Sequence, residues 1–159
     1  MSQIKQILWP VDFSPAQELI LPYVLCLVRQ HGARLHLLHV TMDLEQCAGI
    51  YDLEPLQVNF LSGAQAKMDA LCQGPLAGLP GLTALVACGD PVEKTLEYVQ
   101  AQGIDLIVAG THGHKGLMHA ILGSVAENLL RRSPVPVFTV NPHRLRAAGG
   151  HNGSGGVVA

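Results

Sequence analysis

The chain carries little charge, and what it has is nearly balanced. Charged residues make up 14% of its 159 residues, and the formal net charge is −2. No basic stripe is available to neutralise phosphates along a groove, which argues against a nucleic-acid-binding protein. Hydrophobic residues make up 48%, which is typical of a globular chain and not of a disordered one. A chain of this length fits one domain with a sizeable core.

Long apolar runs and paired cysteines are also missing. No apolar run reaches the roughly 18 residues of a membrane span. The start, MSQIK, leads directly into a strand-like run with no signal-peptide pattern, so we expect a cytoplasmic protein. The four cysteines form no C-x-x-C pair, which favours small apolar residues in a reducing compartment over a metal site.

What the chain does contain is an alternation of strand-like and helical patterns. Five apolar runs predict strands: Gln6–Val11, Ala33–Val40, Leu82–Cys88, Asp105–Ala109 and Val135–Val140. Helical spacing predicts the segments between them, and such alternation indicates right-handed βαβ crossovers in an open parallel sheet. We expect residues 1–142 to form one α/β domain and the Gly-rich residues 143–159 to form a flexible tail.

Three capping boxes mark predicted helix starts. Ser14, Asp90 and Ser124 are the expected N-caps, each followed three residues later by Gln or Glu. Pro22 lies inside the first helical pattern and predicts a kink or a later helix start. The pair Arg131-Arg132 is expected to be solvated.

The most informative segment follows the fourth strand. It reads Gly110-x-x-Gly113, nine further residues, and then Gly123-Ser124 at a helix start. Glycine lets backbone N–H groups approach an anion and takes up positive φ, and a helix start adds unpaired N–H groups. The spacing matches neither a Walker A loop nor the G-x-G-x-x-G dinucleotide fingerprint. The segment therefore predicts a different phosphate site, in which Ser124 can be an N-cap, a phosphate ligand or both.

Two other strand ends are expected to meet this segment, because open parallel sheets bind ligands beyond their carboxyl ends. Asp12, after the first strand, can accept hydrogen bonds from a ribose hydroxyl pair or can stabilise the next helix through its dipole. Val40, at the end of the second strand, can offer an apolar shelf and backbone groups to a base, or can be an ordinary core residue.

Together these motifs resemble the universal stress protein family, in particular its ATP-binding branch. The resemblance rests on the glycine loop, the opening ILWPVDFS, the turn Gly89-Asp90-Pro91 and the Pro-Val-Pro-Val end strand. It extends from about Lys5 to Asn141. It implies a Rossmann-like three-layer α/β sandwich, with a five-stranded parallel sheet in the order 3-2-1-4-5, helices on both faces, and usually a homodimer.

The resemblance also implies the ligand and the residues that hold it. The ligand is ATP, with or without Mg²⁺, and the function is that of an ATP-binding regulatory protein in the stress response with an unknown downstream protein partner. The adenine and ribose would be held by Pro10, Val11, Asp12 and Val40. The phosphates would be held by Gly110, His112, Gly113, Gly123, Ser124, Val125 and Ala126.

The sequence offers little for catalysis at this site. No nucleophile with a nearby base and no carboxylate pair accompanies the glycine loop, so any hydrolysis is expected to be slow. The alternatives are a slow ATPase or adenylating enzyme on the same fold, and a nucleotide-free dimeric scaffold. His112, His114 and His119 lack a carboxylate or thiolate partner at suitable spacing, which favours His112 as a phosphate donor over a metal site. Lys115 can reach a terminal phosphate, or Mg²⁺ can screen it.

The last predicted strand, Val135–Val140, lies at a sheet edge and carries no charged residue. Such an edge can pair with a second copy of itself, and the family resemblance implies a homodimer through this strand. The alternative is an edge that the C-terminal tail covers.

Overall fold

The structure is a computed structural model, and it describes residues 3–43, 54–111, 123–142 and 144–145, without the side chains of 54 and 55. Strands and helices alternate along these residues, as the sequence predicts. In chain order they are β1 (Gln6–Pro10), α1 (Gln17–His31), β2 (Arg34–Thr41), α2 (Glu54–Gln73), β3 (Thr83–Cys88), α3 (Pro91–Gln102), β4 (Leu106–Gly110), α4 (Ser124–Arg132) and β5 (Val137–Val140).

The strands form one parallel sheet in the order β3-β2-β1-β4-β5. The predicted order 3-2-1-4-5 is therefore confirmed. From β1 the chain moves to β2 and β3 on one side, and then crosses to β4 on the other side of β1. The order reverses between β1 and β4, and in open α/β sheets ligands bind in the crevice beyond the strand ends at such a point.

Side chains of the central strand alternate between the two faces of the sheet. Ile7 and Trp9 belong to a buried cluster that includes residues of α1 and α2. Leu8, between them, belongs to a second cluster that includes residues of α3 and α4. Helices therefore cover both faces, which explains the unbroken apolar character of the strands and confirms the three-layer sandwich. Among the described residues, no helix has both the length and the apolar character needed to cross a bilayer.

Of the three predicted N-caps, Asp90 is confirmed. Its Oδ1 accepts hydrogen bonds from the N–H groups of Val92 and Glu93, each at 2.9 Å. Ser14 is a wrong prediction, because α1 has Ala16 as its N-cap and no side-chain capping bond. The physical reason is a competing turn, in which the N–H of Ser14 donates to Asp12 Oδ1 at 2.9 Å and the helix begins further on.

Of the two outcomes predicted for Pro22, a kink or a later helix start, the later start is wrong. Helix α1 begins at Gln17 and continues through Pro22 to His31. Ile20, Val24 and Val28 are buried along one side of it. This apolar stripe anchors the helix to the sheet on both sides of the proline, so packing outweighs the loss of one backbone hydrogen bond.

Helix α4 begins one residue earlier than predicted. Its N-cap is Gly123, so Ser124 is the first helical residue and not the cap. The two arginines at its end are exposed, as predicted, and are also in ion pairs. Arg131 lies 3.1 Å from Glu127, and the Arg132 guanidinium lies 2.7 Å from the Glu93 carboxylate on α3. These side chains are well exposed, so each pair adds little stability.

Candidate functional site

The carboxyl ends of three strands lie side by side in the sheet. β1 pairs with β2, where Pro10 is the partner of Leu38, and with β4, where Leu8 is the partner of Ile107. Asp12 therefore follows the central strand, between the strand that carries Val40 and the strand that ends at Gly110. The expected convergence of these strand ends is confirmed.

The end of β1 is tightly bound to β2. Pro10 is half-buried and Val11 is buried. The N–H of Val11 donates to Leu38 O at 2.9 Å, and Val11 O accepts from His39 Nδ1 at 2.7 Å. Asp12 is half-buried and receives the Ser14 N–H, as described above. The backbone that leads into Asp12 is thus fixed on both sides of Val11.

Val40 occupies the corresponding end of β2. It is half-buried, pairs with Ala87 of β3, and packs against the second apolar cluster. The next residue, Thr41, is buried, and its carbonyl oxygen accepts the Gly89 N–H at 3.0 Å. Val40 therefore contributes to the core and keeps part of its surface at the strand end.

The glycine segment begins and ends at the same place. Gly110 is the last residue of β4 and is the partner of Val140. The N–H of Thr111 donates to Val140 O at 2.9 Å, and the N–H of Gly123 donates to Thr111 O at 2.6 Å. The two ends of segment 112–122 are therefore joined beside the end of β4. His112, Gly113, His114, Lys115 and His119 lie outside the described residues.

Helix α4 starts at this junction without a capping side chain among the described residues. Gly123 has φ −59°, a value that other residues also adopt, so positive φ does not explain the glycine at this position. The first hydrogen bond within the helix runs from Glu127 N–H to Gly123 O, at 2.9 Å. The N–H groups of the three residues before Glu127 therefore stand at the positive end of the helix dipole. These residues are Ser124, which is exposed, Val125, which is half-buried, and Ala126, which is buried.

Two buried polar atoms lie at the start of α1, close in sequence to Asp12. Ser14 Oγ and Gln17 Oε1 have no hydrogen-bond partner in the part of the chain that the structure describes. Ser14 is only 4% exposed. Buried polar groups are normally paired with protein, water or ligand, so these atoms indicate a polar environment beside Asp12.

Within the described ranges, no group of three or more His, Cys, Asp or Glu residues could hold a metal ion. The three histidines of the glycine segment fall outside those ranges, so the prediction about them stays a prediction.

Two residues that shape this site were not among the predicted site residues. His39 binds the carbonyl of Val11, and its position beside Val40 at a strand end was the only signal in the sequence. Thr111 joins β5 to the start of α4 through its backbone, and no side-chain pattern predicts a backbone contact of this kind.

Comparisons with known proteins agree with this architecture. The sequence model of the universal stress protein family matches residues 3–141. The universal stress protein MJ0577 of Methanocaldococcus jannaschii is 26% identical over 152 residues, which cover 86% of this chain and 94% of that protein. A universal stress protein of Thermus aquaticus is 30% identical over 111 residues, which cover 69% of this chain and 79% of that protein.

Solved structures give the same result. The structure of MJ0577 aligns with a TM-score of 0.78 at 28% identity, over 88% of this chain and 97% of that one. Two more distant structures share the fold at 20% identity. One is a universal stress protein in complex with cAMP (TM-score 0.58, 89% of this chain and 99% of that one), and the other is an Arabidopsis thaliana family member with AMP bound (TM-score 0.51, 86% and 91%). The chain described here belongs to the universal stress protein family.

Proposed function

We propose that this chain binds ATP at the carboxyl edge of its sheet, and that the bound nucleotide regulates its interaction with a protein partner in the stress response. The observation that carries the proposal is the start of α4. It has no capping side chain among the described residues and lies beside the end of β4, one of the two strands between which the strand order reverses. Two members of the same fold family bind adenine nucleotides, cAMP and AMP, which supports an adenine nucleotide as the ligand.

The phosphates fit the start of α4. Backbone N–H groups from Ser124 onward and the helix dipole both favour negative charge there. Gly110 and Gly123 place no side chain at the joined ends of the glycine segment, so a phosphate oxygen can approach the backbone. His112 and Gly113, inside that segment, remain proposed phosphate ligands on the sequence argument. If Mg²⁺ accompanies ATP, it supplies charge neutralisation at the phosphates.

The nucleoside fits the ends of β1 and β2. An ionised carboxylate has several acceptor sites, so Asp12 can receive ribose hydroxyls as well as the Ser14 N–H. Ser14 Oγ and Gln17 Oε1 have no hydrogen-bond partner among the described residues, which supports a polar ligand or water on the α1 side. Val40, with Pro10 and Val11, supplies the apolar surface for the base.

We propose a binding role with little or no hydrolysis, since phosphoryl transfer needs an oriented water and focused charge on the γ-phosphate. The competing function is a slow ATPase on the same site. Phosphate release measured at saturating ATP separates the two, because sustained turnover above the rate without protein would favour the enzyme.

The decisive experiment identifies the ligand directly. Purified protein is denatured, the released small molecules are identified by mass spectrometry, and nucleotide-free protein is titrated with ATP in a calorimeter. We expect released adenine nucleotide or saturable heat with ATP. A dissociation constant of about 1 mM corresponds to a binding free energy of only about 4 kcal/mol. If neither result is observed up to about millimolar ATP, the chain is not a nucleotide-binding protein.

A matched pair of glycine variants tests where the phosphates bind. Gly123→Val places a branched side chain at the start of α4, in a backbone conformation that valine tolerates (φ −59°, ψ 144°). We expect ATP affinity to fall at least tenfold. Gly63→Val is the control, since an added Cβ there meets no atom within 4 Å. Equal ATP affinity of Gly123→Val and the control would place the phosphates elsewhere.

We also propose a homodimer through the β5 edge, as the uncharged strand and the family resemblance suggest. In the structure β5 is the terminal strand of the sheet on the β4 side, and Phe138 on it is 41% exposed. An exposed aromatic side chain on an edge strand supports pairing with a second copy.

A further inference from the structure

The turn that carries Asp12 contains an unusual backbone conformation. Phe13 has φ +55°, and among the described residues no other non-glycine residue has positive φ. This left-handed region is disfavoured for bulky side chains, so it persists only where surrounding contacts enforce it. The contacts that hold Phe13 therefore also constrain the backbone next to Asp12.

Two side chains and the core hold the Phe13 ring. The ring of His39, on β2, lies 4.3 Å from it between centroids, at an interplanar angle of 37°. The Lys67 ammonium, on α2, lies 5.9 Å from the Phe13 centroid, within the range of a cation–π contact. Phe13 also packs against the apolar cluster beneath α1 and α2. The ring is thus held between two neighbouring elements.

His39 additionally holds the backbone on the other side of Asp12. A carbonyl oxygen only accepts hydrogen bonds, so the contact between His39 Nδ1 and Val11 O at 2.7 Å requires the proton to be on Nδ1. The His39 imidazole therefore fixes the carbonyl group of Val11, which precedes Asp12, and the ring of Phe13, which follows it. Contacts to both neighbours of a ligand residue are typical of side chains that orient it.

We propose that His39 is a positioning residue for the nucleoside, which it does not need to touch. By fixing Val11 and Phe13 it holds the Asp12 carboxylate in the orientation that receives the ribose. This inference rests on the proposed ATP site and adds a residue to it that acts through Asp12. His39 lies on β2, whereas the start of α4, where the phosphates are proposed to bind, adjoins the end of β4 on the other side of β1.

A double-mutant cycle tests the inference. ATP and inorganic tripolyphosphate are titrated into the wild type, His39→Phe, Asp12→Ala and the double variant. His39→Phe keeps a ring beside Phe13 and removes the donor to Val11. We expect it to weaken ATP binding about threefold to tenfold, as the loss of one hydrogen bond would, and to leave tripolyphosphate binding within about twofold. In the Asp12→Ala background we expect His39→Phe to change ATP affinity less than about twofold, because coupled residues are not additive.

Control variants separate positioning from general damage. His39→Asn carries an amide that can donate near the position of Nδ1, and we expect it to bind ATP more tightly than His39→Phe does. It also serves if His39→Phe does not fold. His31→Phe changes a histidine at the far end of α1 and is expected to leave both ligands unaffected. Unchanged ATP affinity of His39→Phe, the same loss in the Asp12→Ala background, or an equal loss of tripolyphosphate binding would each overturn the inference.

Failure of the proposed function is distinguishable from failure of this inference. If the wild type binds no ATP, the ATP site is wrong, and positioning is then measured by hydrogen exchange at the Ser14 amide, which donates to Asp12 Oδ1. We expect faster exchange in His39→Phe, by about tenfold, since a misplaced carboxylate no longer protects that amide. An unchanged rate would show that His39 does not position Asp12.

Discussion

At the scale of single residues, His36 on β2 is buried, away from the edge of the sheet where the nucleotide is proposed to bind. Both of its ring nitrogens have a hydrogen-bond partner. It is 6% exposed, with Nδ1 at 3.0 Å from the Tyr98 hydroxyl and Nε2 at 2.8 Å from Gln6 Oε1. Burial, and to a lesser extent the charge of Arg34, lowers the pKa of His36 below its ordinary value of 6.5. Burial also raises the pKa of the Tyr98 hydroxyl. Burial in the interior therefore favours the neutral form of the His36 imidazole.

This arrangement predicts acid sensitivity. Because the unfolded chain binds the proton at higher pH than the folded one, acidification favours unfolding. The contribution of His36 is complete above its ordinary pKa of 6.5 and is lost as the pH falls from there toward the lowered pKa of the folded state. In that window stability falls by up to about 1.4 kcal/mol per pH unit.

Urea denaturation at about pH 7.5 and about pH 5.5 measures this loss against a matched variant. His36→Gln cannot take up a proton, so its free energy of unfolding should fall less over the same range. The difference between the two proteins isolates His36 from the carboxylates that titrate in both. Parallel pH profiles of wild type and variant would contradict the prediction.

The residue scale also shows where local patterns misled. The pattern Ser-x-x-Gln predicted Ser14 as a helix cap, yet Asp12 Oδ1 receives the Ser14 N–H and Phe13 turns to positive φ. The pattern at Asp90 was predicted correctly, because the Asp90 carboxylate itself accepts the N–H groups of Val92 and Glu93. Local signals fail where a neighbouring side chain competes for the same N–H group.

At the scale of elements, one buried face holds α4 in place and so fixes the proposed phosphate site at the start of this helix. Leu129 is 0% exposed in the cluster beneath α3 and α4, whereas the adjacent Leu130 is 46% exposed. The buried face keeps the start of the helix beside Thr111. Packing of α4 and the geometry of its N-terminus are therefore linked.

The two leucines form a matched test of this packing. Leu129→Ala should lower the free energy of unfolding by about 2–5 kcal/mol, because it leaves a cavity in a close-packed cluster. Leu130→Ala should change it by no more than about 0.5 kcal/mol, as is usual at exposed positions. Urea denaturation of both variants measures the two values. A cost at Leu130 equal to that at Leu129 would mean that the outer face of α4 is also buried in solution.

Element types were predictable, whereas element ends were less so. The last strand was predicted from Val135, but β5 begins at Val137. The backbone of Val135 bonds instead to the Ser133 hydroxyl, at 3.1 Å from its N–H and 2.7 Å to its carbonyl. Pro136 has no N–H for the ladder, so regular pairing starts after it. The hydrophobic periodicity of the sequence does not reveal such side-chain contacts.

At the scale of the whole molecule, the sheet has two edge strands, β5 on one side and β3 on the other. Phe138 on β5 is 41% exposed, and Leu85 on β3, at the opposite edge, is 44% exposed. Both are large apolar side chains on terminal strands, and only the β5 edge is implicated by the family resemblance. Val140 on β5 is 5% exposed, so a charge there would disturb the core and is unsuitable as a test.

We predict that Phe138→Lys converts a homodimer into a monomer, because a charge on an edge strand opposes strand pairing. Light scattering measures the molar mass, and circular dichroism confirms the fold. Leu130→Lys, on the outer face of α4 at similar exposure, is the control and should remain dimeric. Dissociation by Leu85→Lys, with Phe138→Lys still dimeric, would place the interface at β3.

The sequence by itself determined the alternation of strands and helices, because hydrophobic periodicity is a local property of the chain. It also determined the family, since the glycine spacing and the residues around it are local motifs. The strand order, and with it the shared edge of Asp12, Val40 and Gly110, was expected from the family resemblance and is confirmed by the structure. Only the tertiary structure placed His39 against Val11 and Phe13. Contacts between residues distant in sequence depend on packing the whole sheet, and no local pattern encodes them.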